Sequence, residues 1–200
     1  MDPRCPMNGD VDGDGRPDRV SVKRLSACRF ALVVKTARGV IEAPLRPPCS
    51  KPSEVWPSGF PRVIVLRPMN RARGLEPEVL MWRGASNSGL RFFTIRGRRL
   101  VPMLIEPESG SDNEWNVGGF ADAFSLHDCL RPHIVGVWGA SFTRPGWSIF
   151  GEIYEVVGTR FARTAFRTRH ASRIGEPTRL WPYVHGDGFA HCGGVARERP

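Results

Sequence analysis

The chain has 200 residues, 40% of them hydrophobic, and a formal net charge of +9, so it is long enough for one domain, or two small ones, with a real core. No apolar run approaches the ~20 residues of a membrane-spanning helix, and no signal peptide is visible at Met1-Asp2-Pro3-Arg4, so the expectation is either a cytosolic protein or a chain that begins after a removed leader. The basic charge does not point to nucleic acid: lysine occurs only at Lys23, Lys35 and Lys51, the arginines are scattered, and no nucleic-acid motif accompanies them.

The first element is a loop, Asp10-Val11-Asp12-Gly13-Asp14-Gly15-Arg16-Pro17-Asp18. Carboxylates stand at its positions 1, 3, 5 and 9, and Gly13 and Gly15 let the backbone curl between them. Oxygens converging from such a curl repel one another unless a cation sits among them. A hard cation that tolerates irregular, high oxygen coordination fits, and that is Ca²⁺. The expected ligands are the side chains of Asp10, Asp12, Asp14 and Asp18, with Arg16 at the seventh position giving its backbone carbonyl. An EF-hand would carry a bidentate Glu at position 12. Ser21 stands there instead, inside the alternating Val20-Ser21-Val22, so Asp18 is expected to close the site and the chain to leave as a strand.

Arg19–Leu25 reads as that strand. Arg29–Thr36 and Val40–Leu45 read as a hairpin turning at Ala37-Arg38-Gly39, Arg46–Pro61 as a Pro- and Ser-rich connector, and Arg62–Leu66 as a further strand. The pattern then returns. Pro17, Pro77 and Pro132 are spaced by 60 and 55 residues, and each precedes an apolar strand. Gly39, Gly97 and Gly158, at hairpin turns, are spaced by 58 and 61. The expected fold is therefore all-β, with three degenerate repeats of antiparallel strands over about 9–55, 60–110 and 114–168, and an irregular tail over 169–200. Aligned on the prolines, the second loop is Asn70–Glu78 and the third Ser125–His133. The third has no carboxylate at positions 1, 3, 5 or 9, and the second has Ala72 and Gly74 at positions 3 and 5, so one cation site is expected. Glu106–Asn113 reads as an exposed acidic loop.

Asp-x-Asp-Gly-Asp-Gly-x-x-Asp followed by an alternating strand resembles the FG-GAP/VCBS repeat, the calcium loop of integrin alpha-chain β-propellers and of many bacterial secreted proteins. The likeness is sharp over residues 9–22 and loose over 10–168. It implies blades of antiparallel strands, an extracellular setting, and a structural rather than catalytic calcium. The Phe-Gly/Gly-Ala-Pro signature is not evident, and three copies fall short of the ~4–8 blades of a closed propeller. The expected arrangement is accordingly a partial or open β-propeller.

Cys5, Cys28, Cys49, Cys129 and Cys192 form no Cys-x-x-Cys pair, which argues against a closed zinc site. Their wide spacing beside a calcium loop suggests disulfides and an oxidising compartment, with Cys28 and Cys49 bracketing a hairpin that a bridge could close. An enzymatic alternative rests on the C-terminal His185, Asp187, His191 and Cys192, which could hold a transition metal. A Cys–His dyad from His127, Cys129 and His133 is disfavoured because neighbouring strand residues face opposite ways. Trp56, Trp82, Trp115, Trp138, Trp147 and Trp181 are read first as packing residues and second as a carbohydrate platform. The composite expectation is a non-catalytic, secreted or cell-surface calcium-binding module with an unknown protein or glycan ligand.

Overall fold

A computed structural model of the chain describes residues 6–47, 60–70, 73–84, 87–106, 113–120, 123–131, 133–143, 146–171 and 195–196. Those residues contain strands and turns but no helix. The first sheet is β1 (Met7–Gly9), β2 (Asp18–Arg24), β3 (Phe30–Thr36) and β4 (Gly39–Leu45), in that spatial order and antiparallel throughout. The second part starts with β5 (Arg62–Arg67), β6 (Glu76–Arg83), β7 (Asn87–Arg96) and β8 (Arg99–Pro102). β9 (Leu104–Glu106), β10 (Trp115–Phe120), β11 (Ala123–Arg131), β12 (Ile134–Thr143), β13 (Gly146–Val157), β14 (Arg160–Ala171) and β15 (Val195–Ala196) complete the order.

β7 joins two groups of strands. Its C-terminal half pairs with β8 through Phe93↔Pro102 to Arg96↔Arg99, and its N-terminal half pairs with β10 through Asn87↔Gly118 to Leu90↔Trp115. One sheet path therefore runs from β15 through β5, β6 and β7 into β10–β14, ending on β9, and it does not close on itself. β9 lies parallel to β14, the one parallel pair among the described strands.

The pleat explains why β6 and β7 are apolar on both faces. Side chains on a strand alternate, so a strand covered on both sides reads as a continuous apolar run. Val79 and Met81 of β6 and Phe93 of β7 join Val20, Leu32, Val34 and Leu45 of the first sheet in one core. Leu80, Leu90 and Phe92 enter a second core with Val135, Tyr154 and Phe161. Trp115 sits near the centre of that second core, edge-on to Tyr154 and Phe161 with ring centroids 5.1 Å away in each case. Trp115 and Trp147 are packing residues, as the sequence suggested; Trp56 and Trp181 lie outside the described residues.

Three hairpins share a two-residue connection, between Thr36 and Gly39, Arg96 and Arg99, and Val157 and Arg160. Gly97 and Gly158 open their turns at φ 59° and 62°, in the left-handed region where glycine carries no Cβ penalty. Sixty residues separate Thr36 from Arg96, which matches the proline spacing.

Ser125–Arg131, taken from the proline alignment as part of a third loop, is strand β11. It pairs with β12 down to Arg131↔Ile134, so the third copy turns tightly where the first has its long acidic loop. His133 adopts φ 65° at that turn. β14 runs on to Ala171, and Val195–Ala196 pairs back onto β5, so part of the stretch read as an irregular tail is strand.

Candidate metal centre

The Asp10–Asp18 loop links β1 to β2, and its ends are tied by pairing of Gly9 with Asp18. Inside it the backbone curls onto the carboxylates. Asp10 Oδ1 accepts from the N–H of Gly13 at 2.7 Å and of Asp14 at 3.1 Å, and Asp10 Oδ2 accepts from Gly15 N–H at 2.9 Å. Asp12 Oδ1 accepts from Asp14 N–H, and Asp14 Oδ1 from Arg16 N–H. Asp18 Oδ2 takes two donors, Val11 N–H at 2.8 Å and Asp12 N–H at 3.0 Å. Gly13 and Gly15 hold φ of 75° and 85°, the curl that their positions in the sequence implied.

This folding brings one oxygen each of Asp10, Asp12 and Asp18 within 4.8 Å of one another. Asp14 lies outside that group of three, with Oδ1 turned toward Arg16. Asp18 is only 2% exposed while Asp10 and Asp12 are half-buried. Burial pushes the Asp18 carboxyl above its ordinary value. The Val11 and Asp12 N–H groups oppose that rise, and the charges of Asp12 and Asp14 add to it. A divalent ion among the three oxygens would relieve the repulsion. The donor set is all oxygen, which suits a hard cation and not a thiolate- or imidazole-seeking metal.

The second repeat braces this loop from outside. Leu75 N–H donates to the Asp10 carbonyl at 2.8 Å. Gly74 lies so close to Val11 that a Cβ on it would stand 2.2 Å from the Val11 carbonyl oxygen. The repeat also reuses the frame without the acids. Glu76 Oε2 accepts from Met69 N–H at 2.8 Å and Asn70 N–H at 3.3 Å, as Asp18 does from Val11 and Asp12. The counterpart of Asp18 is thus Glu76, 58 residues on, and not Glu78, which the proline alignment placed there. β6 carries an irregularity between Leu80 and Trp82 that takes up one residue of the difference in register between the loops and the turns.

Glu76 has lost the acidic neighbours and gained neutral ones. Its Oε1 accepts from Thr94 Oγ1 at 3.2 Å, and Thr94 in turn accepts from Asn70 Nδ2 at 3.0 Å. Burial raises the Glu76 carboxyl to about 7, against the opposing pull of the Met69 and Asn70 N–H groups and Thr94. Two residues away, Glu78 is fully buried against Arg67, its ion-pair partner. Sequence reasoning missed Glu76, although a 58-residue spacing (Gly39 to Gly97) was already visible in the chain.

Among the other candidates, His127 and Cys129 lie on β11, and His133 at its turn reaches the Met69 carbonyl with Nδ1 at 3.1 Å, toward the second repeat. His127 is buried edge-on against Trp115, and burial lowers its basicity to about 3. His185, Asp187, His191 and Cys192 lie outside the described residues, as do Cys5 and Cys49. No helix among the described residues is long and apolar enough to cross a membrane. The chain matches no family model, no curated protein and no solved structure.

Proposed function

We propose that the chain is a non-catalytic, calcium-stabilised β-repeat module of the FG-GAP/VCBS kind, an open, propeller-like stack of blades used for binding or adhesion-like contact outside the cell. One observation carries this reading: Asp10, Asp12 and Asp18 converge to within 4.8 Å on a curled, internally hydrogen-bonded loop. Asp14 would join as the remaining acidic ligand after a small rotation, and Arg16 would supply its carbonyl. Further support comes from the stacked cores on either face of β6 and β7, which give each repeat a neighbour to pack on. Five widely spaced cysteines are in keeping with an oxidising compartment.

The ion's role is structural: it neutralises carboxylates that otherwise repel, and so fixes the start of β2. Extracellular calcium modules bind at roughly 10⁻⁴–10⁻³ M. A ligand at a hundredfold excess over its Kd stabilises by about 2.7 kcal/mol. Thermal melts in excess calcium and in EGTA test the proposal. The midpoint rises with calcium in the native chain and not in Asp12→Ala; identical melts in both conditions refute it.

A further inference from the structure

A cleft of about 300 Å³ opens beside the acidic loop, between the β3–β4 turn of the first sheet and the β7–β8 turn of the next. Its floor is Ile41 and Ile95, which are partly buried and packed against the first core, so the floor is fixed. Its rim is Arg38 on one turn, Arg98 on the other, Val40, and Asp12 of the loop. Val40 is 59% exposed and adds apolar surface to the mouth of the cleft. Both arginines are exposed, and neither has an ion-pair or side-chain hydrogen-bond partner among the described residues. Gly39 and Gly97 have open space where a side chain would stand, so the mouth is clear at both turns.

Two guanidiniums without partners among the described residues, set over an aliphatic floor, favour a carboxylate on an apolar body, because the planar fork matches a carboxylate and the floor takes the aliphatic part. From this geometry we infer that the Arg38–Arg98 cleft is a binding site for an acidic residue flanked by aliphatic ones in an extended segment of a partner protein. The cleft's volume is at the lower end for a ligand site and accommodates one or two side chains rather than a folded surface. Asp12 faces the same space and repels such a ligand unless its charge is neutralised. Occupancy of the cleft therefore strengthens when a cation sits among Asp10, Asp12 and Asp18. This last link rests on the calcium reading; the cleft itself does not.

Fluorescence anisotropy with the full chain tests the site. The probes are two fluorescein-labelled pentapeptides with a central glutamate or a central glutamine between leucines. The glutamate probe binds about tenfold tighter than the glutamine probe, and Arg38→Gln/Arg98→Gln removes that preference. Arg167→Gln, an exposed change on β14, retains it. The result is overturned by equal binding of the two probes, by no binding, or by Arg167→Gln costing as much as the double change, which would reduce the effect to general attraction by a +9 chain. Calcium uptake measured in parallel by calorimetry separates the two claims. Uptake with no glutamate preference sinks the cleft and leaves the calcium reading. A glutamate preference without uptake upholds the cleft and sinks the calcium reading.

Discussion

At the scale of single residues, two buried titratable groups set opposite pH dependences. Glu76 has a folded value of about 7 against an ordinary 4.5, so the folded chain holds its proton more tightly than the unfolded one. Its contribution is complete below pH 4.5 and is lost as pH rises through 7. The loss amounts to about 3.5 kcal/mol at most, since each unit of difference is worth ~1.4 kcal/mol. Glu76→Gln should flatten that part of a denaturant-derived stability profile and leave the chain more stable near pH 8. A parallel profile shifted bodily downward would show that the charge of Glu76 is not what costs stability. His127 runs the other way. Its folded value of about 3 lies below the ordinary 6.5, so the unfolded chain binds the proton first and stability falls as pH drops below 6.5. His127→Phe should remove that acid limb, and an unchanged limb would assign it to carboxylates instead. Neither group was legible as perturbed in the sequence, because burial of a histidine or a glutamate is set by what packs over it from distant strands.

At the scale of elements, the acidic loop was legible and its bracing was not. Carboxylates at fixed offsets with glycines between them dictate a curl whatever the rest of the fold does, and Asp10, Asp12 and Asp18 converge accordingly. Asp14 stands outside the set, its Oδ1 accepting the Arg16 N–H two residues on; Asp12 accepts the Asp14 N–H in the same way and remains within it. That Gly74 would lie against Val11 could not be read, since it depends on two loops 60 residues apart meeting backbone to backbone. Gly74→Ala puts a carbon into the Val11 carbonyl and forces the loops apart, at a cost of about 1–3 kcal/mol. It should also weaken calcium uptake several-fold by calorimetry, whereas Gly97→Ala, which meets no atom, should leave uptake unchanged. Arg67→Met leaves Glu78 buried without its cation and should cost about 3–5 kcal/mol in chemical denaturation. A cost under 1 kcal/mol there would mean that Glu78 is already protonated in the fold.

At the scale of the whole molecule, periodicity gave an all-β reading because strands with two covered faces and glycine turns near sixty-residue spacing leave few alternatives. The third copy was misread: a proline preceding a strand looks alike whether a nine-residue loop or a tight turn comes before it, and here β11 pairs directly with β12. The continuous path from β15 to β9 was also beyond the sequence, since it depends on β7 being long enough to pair with β8 and β10 at once. If each repeat leans on its neighbour, loosening the first should be felt in the second. Calcium removal should accordingly speed amide exchange at Leu75, whose N–H is held by Asp10, as well as within the loop. Isothermal titration of calcium into the native chain and into Asp18→Asn is the most direct test of the proposed metal site. One ion per chain bound by the native protein, and heat lost in the variant while its fold persists by circular dichroism, is the expected result. No calcium heat at millimolar concentrations in the native chain, or the same heat in both, would contradict it.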